Sequence, residues 1–453
     1  MRPRVTPALR RILRDERTLQ LGVHPARAVV LTGLTGSVRR WIGGLDGSRD
    51  LGQVLREAAA AGLEESRATA LLDTLTARGV VHDVTATPPT LPGLSLAERD
   101  RLEPDVDALD LAAPGPVGGL AALRRRMQAK VRVYGAARVG AQIVTLLASC
   151  GVGEIRVIDP SPVRPRDLTP GGLTWRQIGL TRQEAAAAAA GGLTSGGLTS
   201  APTARPAHPA GLRRGPEATA SSPREGTTPP SRRARVTGHG RPPEARGSLA
   251  GAETATNVTP PRPASVRRAG PVVAPPPPPG TPSVRVIAGA PYLGDGSQRP
   301  DLVILAPAGP LDLVLVNELM ELGIPHLLSS AFEGHGSVGP LVLPGHTACL
   351  HCLDLTRRDG DPAWPVVTAL LGGYPPGEIA CDTTLATLVA ATAVGHALAY
   401  LDGHESGVTN GTSDVTPDWR WERSAWLPHP ECRCMRNNRQ SLRMVVSPTG
   451  DQT

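Results

Sequence analysis

The sequence predicts an α/β fold with a mainly parallel sheet, a C-terminal zinc site and a small winged-helix-like domain in front. Three observations predict it. Val131–Tyr134, Gly135–Gly140 and Glu154–Asp159 read as strand, glycine turn with helix start, and second strand, which is one βαβ unit. Compact β-rich runs return at Val284–Ile287 and Leu302–Leu305. Finally, Cys349-x-x-Cys352 and Cys432-x-Cys434 are two close thiol pairs about eighty residues apart, able to close a tetrahedral S4 site.

Residues 1–83 read as the small domain. Extended segments at Thr18–Leu21 and Ala28–Leu31 precede three helical stretches, Leu34–Ile42, Leu51–Ala61 and Glu64–Arg78, and Val80–Val84 closes the unit as a strand. Val54, Leu55 and Ala58 line one helical face, and Ala70, Leu71, Leu75 and Arg78 line the next. Residues 84–116 are a Pro-rich linker with one short helix, opened by the capping box Ser95-Leu-Ala-Glu98. Residues 117–190 and 283–440 form the α/β domain. In it, Ala121–Lys130 and Gly140–Cys150 are helices, Leu311–Leu322 is a helix, and Pro325–Ser329 and Gly339–Leu343 are strands. Between the two halves, 191–282 repeats GGLTS and ends in polyproline at Pro275–Pro279. It has too few large apolar residues to offset chain ordering, so it reads as a disordered spacer. Residues 441–453 are a tail.

Charge and composition narrow the function classes. The net charge is +7, but 191–280 carries twelve Arg and four Glu, so the rest of the chain stands at −1. Basic character therefore belongs to the insert, and a nucleic-acid partner is not expected. Glu64-Glu65 at the start of the third helix also argues against a DNA-recognition helix. Lys130 is the only lysine. Met1–Gln20 is polar and Arg-rich without an apolar signal core, and the apolar run Leu385–Leu401 is interrupted by His396. A cytoplasmic protein with no membrane span is expected, and its six cysteines then favour metal over disulfides.

The turn Gly135-Ala-Ala137-Arg-Val-Gly140 makes the domain Rossmann-like: its glycines let backbone approach phosphates at a helix start. Ala137 stands at the second glycine of G-x-G-x-x-G, and its methyl crowds the pyrophosphate path. Asp159, nineteen residues after Gly140, falls where a ribose-binding acid is expected. The four cysteines read as structural zinc ligands or, more simply, as reduced packing thiols. Cys381 and Cys150 read as packing thiols, Cys381 with a thioester nucleophile as its other reading. His335, in Gly334-His-Gly336, is a solvated loop residue or a contact for a substrate tail. Arg357 and Arg358, with Asp354, Asp359 and Asp361, read as a surface ion network.

These residues together resemble the E1-like superfamily, the ThiF and MoeB type of ATP-dependent adenylyltransferases, over about 130–182 and 284–436. The resemblance rests on Gly151-Val-Gly-Glu-Ile-Arg-Val-Ile-Asp159, on Asp301-Leu-Val-Ile-Leu-Ala, on Asn317, Gly323 and Pro325, and on the two cysteine pairs. Active members continue as D-x-D-x-V-x-x-S-N-L-x-R-Q. Here Asp159 and Val163 match, Ser161 replaces the second acid, and Pro170 and Gly171 stand at the Arg-Gln pair. Arg182 takes the family's lysine position, and Ala308 stands where A-T-D-N supplies the magnesium-holding acid. Each such electrostatic contact supplies on the order of 3 kcal/mol of transition-state stabilisation. The resemblance therefore implies a vestigial nucleotide site at Gly135, Ala137, Gly140, Asp159 and Arg182, no catalytic residue, and doubtful ATP binding. It also implies structural Zn2+ on Cys349, Cys352, Cys432 and Cys434.

A closer resemblance is carried by Cys349-Leu-His-Cys352-Leu-Asp-Leu-Thr-Arg-Arg-Asp359-Gly-Asp361-Pro-Ala-Trp364-Pro and His429-Pro-Glu-Cys432-Arg-Cys434. These look like segments of E1-like proteins in azole-forming peptide pathways, the partners of YcaO-type cyclodehydratases. That resemblance implies a leader-peptide clamp in residues 1–83, a modifying enzyme as partner, and a homodimer. The alternative is an active adenylyltransferase of the type that activates ubiquitin-like modifiers, acting on a C-terminal carboxylate. A DNA-binding regulator and a nicotinamide oxidoreductase fit less well, since charge opposes the first and no catalytic acid–base pair supports the second.

Overall fold

Alternation decides which residues of the central strands face which layer. In the computed structural model, Val131 and Val133 of one strand join Leu302 and Ile304 of its neighbour in one core, while Val303 and Leu305 point to the other. The structure describes residues 1–25, 27–85, 94–112, 118–194, 284–290, 293, 296–371 and 380–435. The polyproline run, the insert beyond 194 and the tail 441–453 lie outside the described residues.

The first element is β1 (Pro3–Val5), followed by β2 (Arg11–Asp15), β3 (Thr18–Leu21) and β4 (Val29–Leu31). Helices α1 (Gly36–Gly43), α2 (Leu51–Ala60) and α3 (Glu65–Ala77) come next, and β5 (Val81–Asp83) returns to pair antiparallel with β1. Strands β2, β3 and β4 form their own antiparallel sheet in that order. Thr35 and Asp50 accept from the backbone N–H of Val38 and Gln53, capping α1 and α2. Val5, Leu21, Trp41, Ile42, Val54, Leu72 and Leu75 fill a core separate from the rest. Strands β1 and β2 have no counterpart in the sequence reading. Three residues give β1 no period, and every residue of β2 is exposed.

The expected short linker helix is longer. Helix α4 (Leu96–Ala112) is capped by Ser95 and Glu98 as predicted, and it packs with α5 (Gly118–Gln128) through Leu102 and Leu123. The α/β part then runs β6 (Lys130–Tyr134), α6 (Gly140–Ser149), β7 (Glu154–Ile158), α7 (Arg182–Thr194), β8 (Arg285–Ala288), β9 (Leu302–Leu305), α8 (Leu313–Glu321) and β10 (His326–Phe332). It ends with β11 (His335–Val342), α9 (Leu350–Gly360), α10 (Trp364–Ala369), α11 (Thr383–Leu401), β12 (Gly411–Val415) and β13 (Trp421–Ala425). Helix α7 continues to Thr194, past the predicted start of the insert at 191.

The sheet has eight strands in the order β13-β12-β11-β10-β9-β6-β7-β8. Strands β10, β9, β6, β7 and β8 are parallel, and β11, β12 and β13 are antiparallel additions. The α/β class with a largely parallel sheet is as expected. Helices α6, α7 and α11 cover one face, and α8 and α9 cover the other. Helix α11 is long and apolar enough to cross a membrane by length and composition. Nine of its residues are buried in the fold, among them Val389, Ala393 and Ala397, so it serves as a core helix here. A buried ion pair, Arg126 Nε and Nη2 to the Asp402 carboxylate at 2.9 and 2.6 Å, ties α5 to the end of α11.

Candidate functional site

Two parts of the α/β body carry site chemistry. The first lies at the C-terminal ends of β6, β7 and β9. From β6 the chain passes to β7 on one side, while β9 and β10 continue on the other. The crevice between β6 and β9 is thus the topological switch point where ligands of such sheets bind. Gly135 makes the turn with φ +92°, and a Cβ there would sit 2.2 Å from the Ala306 carbonyl oxygen. Gly140 packs as tightly, since its Cβ would lie 1.9 Å from the Gly135 oxygen. Both glycines are therefore required by packing alone. Ala137 is buried at the same turn.

Asp159 directly follows β7 and is buried. Its Oδ2 accepts from Ala136 N–H at 2.8 Å, and its Oδ1 accepts from Ser161 N–H at 3.1 Å. Arg182, the first residue of α7, lies with Nη1 3.6 Å from the same carboxylate. Its stronger bond is elsewhere: Nε and Nη2 donate to the two Asp167 oxygens at 2.9 and 2.7 Å. Asp167 is fully buried and also accepts from Arg164 N–H. Asp159 and Arg182, predicted together, are together; Asp167 is the member the sequence reading missed. A signal was present. Counting along the same motif from Asp159 puts Asp167 at its Asn, so an acid appears where the family has an amide. Pro170 and Gly171 lie exposed on a surface turn, and Ala308 sits in the coil after β9. Arg138, on the glycine turn, donates to the Arg166 carbonyl at 2.7 Å and to Thr383 Oγ1 at the start of α11.

The second part is the cysteine cluster on the opposite face. Cys349 is the N-cap of α9, which puts Cys352 one turn on, on the same side. Cys432 and Cys434 arrive from the segment after β13. The Cys349–Cys352, Cys349–Cys432 and Cys352–Cys434 sulfur separations are 3.7, 3.6 and 3.5 Å, and all four atoms lie within 4.8 Å of one another. Four thiolates at about 2.3 Å from one zinc ion would stand roughly 3.8 Å apart, so the donor set fits a tetrahedral metal ion. Burial pushes the Cys349 thiol up and the Cys434 thiol to about 12. Four neighbouring thiolates need a cation among them. Four sulfurs also fill the coordination shell, which leaves a structural role.

The expected ion network is sorted by the fold. Asp359 accepts from His429 Nε2 at 2.8 Å, and Arg358 bridges Asp359 and Glu431, both at 2.9 Å. Arg357 is apart from it, between the rings of Trp364 and Trp426 at 5.0 and 5.6 Å from their centroids. These contacts hold the segment 429–434 against α9. Cys381 is half-buried beside the α11 cap Asp382; burial raises its thiol pKa, opposed by Arg138. Cys150 packs against the core and is also raised by burial. His335 begins β11 at a hairpin turn, exposed, with Nδ1 3.3 Å from the Glu333 carbonyl.

A glycine turn at a switch point, a buried acid just after the next strand and a four-thiol clasp on the far face are the features on which the resemblance to the E1-like fold of the ThiF and MoeB type rests. Particular structures it is similar to include those of Escherichia coli MccB. The MccB complex with AMPCPP and MccA superposes with a TM-score of 0.61 at 12% identity, covering 96% of this chain and 100% of that one. The MccB–ATP complex gives 0.60 at 12% identity, with coverage of 96% and 100%. PaaA gives 0.56 at 14% identity, with coverage of 93% and 99%. At these identities the likeness establishes the fold. No protein-family model and no curated protein sequence matches the chain.

Proposed function

We propose that this chain is a peptide-binding protein on an E1-like fold whose nucleotide site is vestigial. It captures a leader-type peptide and presents it to a separate modifying enzyme such as a YcaO-type cyclodehydratase. The observation that carries this reading is the engagement of Arg182. The one cation expected to face a triphosphate is held inside the fold by both oxygens of Asp167. Pro170 offers no charge to replace it, and Ala308 offers no oxygen to magnesium. Asp159 likewise has both oxygens engaged by backbone donors.

Peptide handling is supported by the likeness to MccB, a microcin C7 biosynthetic enzyme crystallised with N-formylated MccA. Residues 1–83 supply the capture surface. Strand β4 is an edge of the β2-β3-β4 sheet among the described residues, and a peptide can extend that sheet as a further strand. The zinc site fastens the C-terminal segment. The working unit is cytoplasmic and homodimeric, and it takes no nucleic acid.

The second reading is an active adenylyltransferase, favoured by the crystallisation of MccB with ATP and with MccA. Two measurements separate them. Isothermal titration with ATP and magnesium gives no tight binding under the first reading. ATP–pyrophosphate exchange with the precursor peptides encoded beside this gene gives no signal. Exchange above the no-peptide blank overturns the first reading and establishes the second.

A further inference from the structure

A second site candidate lies along the same end of the sheet, and reading it as a peptide subsite rests on the peptide-handling function above. A cleft of about 180 Å³ is lined by Gly334, Asp382, Leu385, Thr416, Pro417 and Trp419. It adjoins the glycine turn through Thr383, which accepts from Arg138. Two hairpin turns wall it. Between β10 and β11, Phe332 pairs with His335, so Glu333-Gly334 is a two-residue loop, with φ of 52° and 82°. Between β12 and β13, Val415 pairs with Trp421, Trp419 N–H donates to the Thr416 carbonyl at 2.9 Å, and Trp419 has φ 64°.

Those left-handed positions suit Gly, Asn or Asp. The chain places Glu and Trp there instead. Among the described residues three non-glycine residues have positive φ; one of them, Trp419, lines this cleft, and another, Glu333, precedes its lining residue Gly334. Strained backbone that persists beside a cleft marks ligand contact more than folding economy.

The chemistry of the walls selects the occupant. Trp419 is 52% exposed, and Leu385 and Pro417 add apolar surface beside it. Asp382 brings a carboxylate whose Oδ1 caps α11. Glu333 is exposed on the adjoining turn. The cation on the Trp419 turn, Arg420, is paired with Asp418 at 2.8 Å, and His335 stands exposed at the start of β11. An aromatic face beside a carboxylate accepts a planar cation, which stacks and forms charge-assisted hydrogen bonds together. We propose that this cleft is a side-chain subsite for an arginine of the bound peptide, with the guanidinium stacked on Trp419 and paired with Asp382.

The test is an NMR titration of the full chain labelled with 15N at its tryptophan indoles, using N-acetyl-arginine-N-methylamide and its citrulline analogue as probes. The Trp419 signal, assigned from its loss in W419G, shifts with the arginine compound and stays in place with citrulline. W419G melts at or above the wild-type temperature, because glycine relieves the turn. A silent Trp419 signal, an equal response to citrulline, or a W419G chain melting well below wild type overturns the subsite. Trp41, buried in the core of the N-terminal unit, reports separately on the clamp. If neighbouring-gene precursor peptides move Trp41 while arginine leaves Trp419 unmoved, the subsite fails and the clamp stands. If arginine moves Trp419 and no precursor peptide moves Trp41, the clamp fails and the subsite stands.

Discussion

Arg182 and Asp167 form a two-pronged ion pair inside the fold, with N–O distances of 2.9 and 2.7 Å and both side chains out of solvent. The pair joins the start of α7 to the Pro165–Asp167 turn, while Nη1 of the same guanidinium lies 3.6 Å from the Asp159 carboxylate. Breaking it leaves an uncompensated buried charge. Arg182→Met and Asp167→Ala are each expected to cost about 3–5 kcal/mol in urea unfolding. The double variant should recover part of that loss, because neither charge is then left alone. A single variant as stable as wild type would falsify the buried-pair account.

Zinc content is the second expectation. Elemental analysis of purified chain should find one zinc per polypeptide, and Cys432→Ser should lower it. Removing the metal should destabilise the fold by several kcal/mol, on the order seen when ligand thiolates lose their cation. Stoichiometric protein without metal and with unchanged melting would leave four packing thiols as the better description.

His326 sets a pH dependence. It is wholly buried at the start of β10, with Nδ1 3.0 Å from the Ile324 carbonyl and no partner for Nε2 among the described residues. Burial lowers its pKa from 6.5 to about 4. The unfolded chain therefore binds this proton at a higher pH than the folded chain. The neutral ring's contribution is present above about 6.5 and is lost as pH falls towards 4. The full span is on the order of 3 kcal/mol. Urea unfolding from pH 7 to 4 should show that slope in wild type and a flatter one in His326→Leu. Parallel slopes would remove His326 from the account.

Arg357 between Trp364 and Trp426 couples α9, α10 and the segment after β13. Two stacked faces predict a loss of about 1–2 kcal/mol for Arg357→Ala, with Lys recovering part of it. Tryptophan fluorescence should change with the variant. An unchanged spectrum and melting point would make the sandwich incidental.

The clamp reading is tested at β4. Val30 lies on an edge strand and is partly exposed. Val30→Asp places a charge where an added strand would dock, which natural sheets use to block pairing. Peptide affinity should fall roughly tenfold or more, equivalent to about 1.4 kcal/mol, with melting unchanged. Equal affinity would place the peptide elsewhere.

The sequence by itself determined the βαβ unit, the glycine turn, the acid at Asp159 and the two thiol pairs. Each of those is written within a few residues: hydrophobic alternation, turn glycines and ligand spacing need only near neighbours. It left β12 and β13 unread, because Gly411–Val415 is polar in sequence although the fold buries it, and Trp421–Ala425 is a largely polar edge strand, so neither shows an apolar period. Only the tertiary structure decided that Arg182 turns to Asp167, that Arg357 leaves the ion network for two indoles, and that Trp419 and Asp382 line one cleft. Such partners are distant along the chain or owe their meeting to the packing of separate elements. A residue's chemistry fixes what it can bind, but the fold chooses which of the available partners lies within 3 Å.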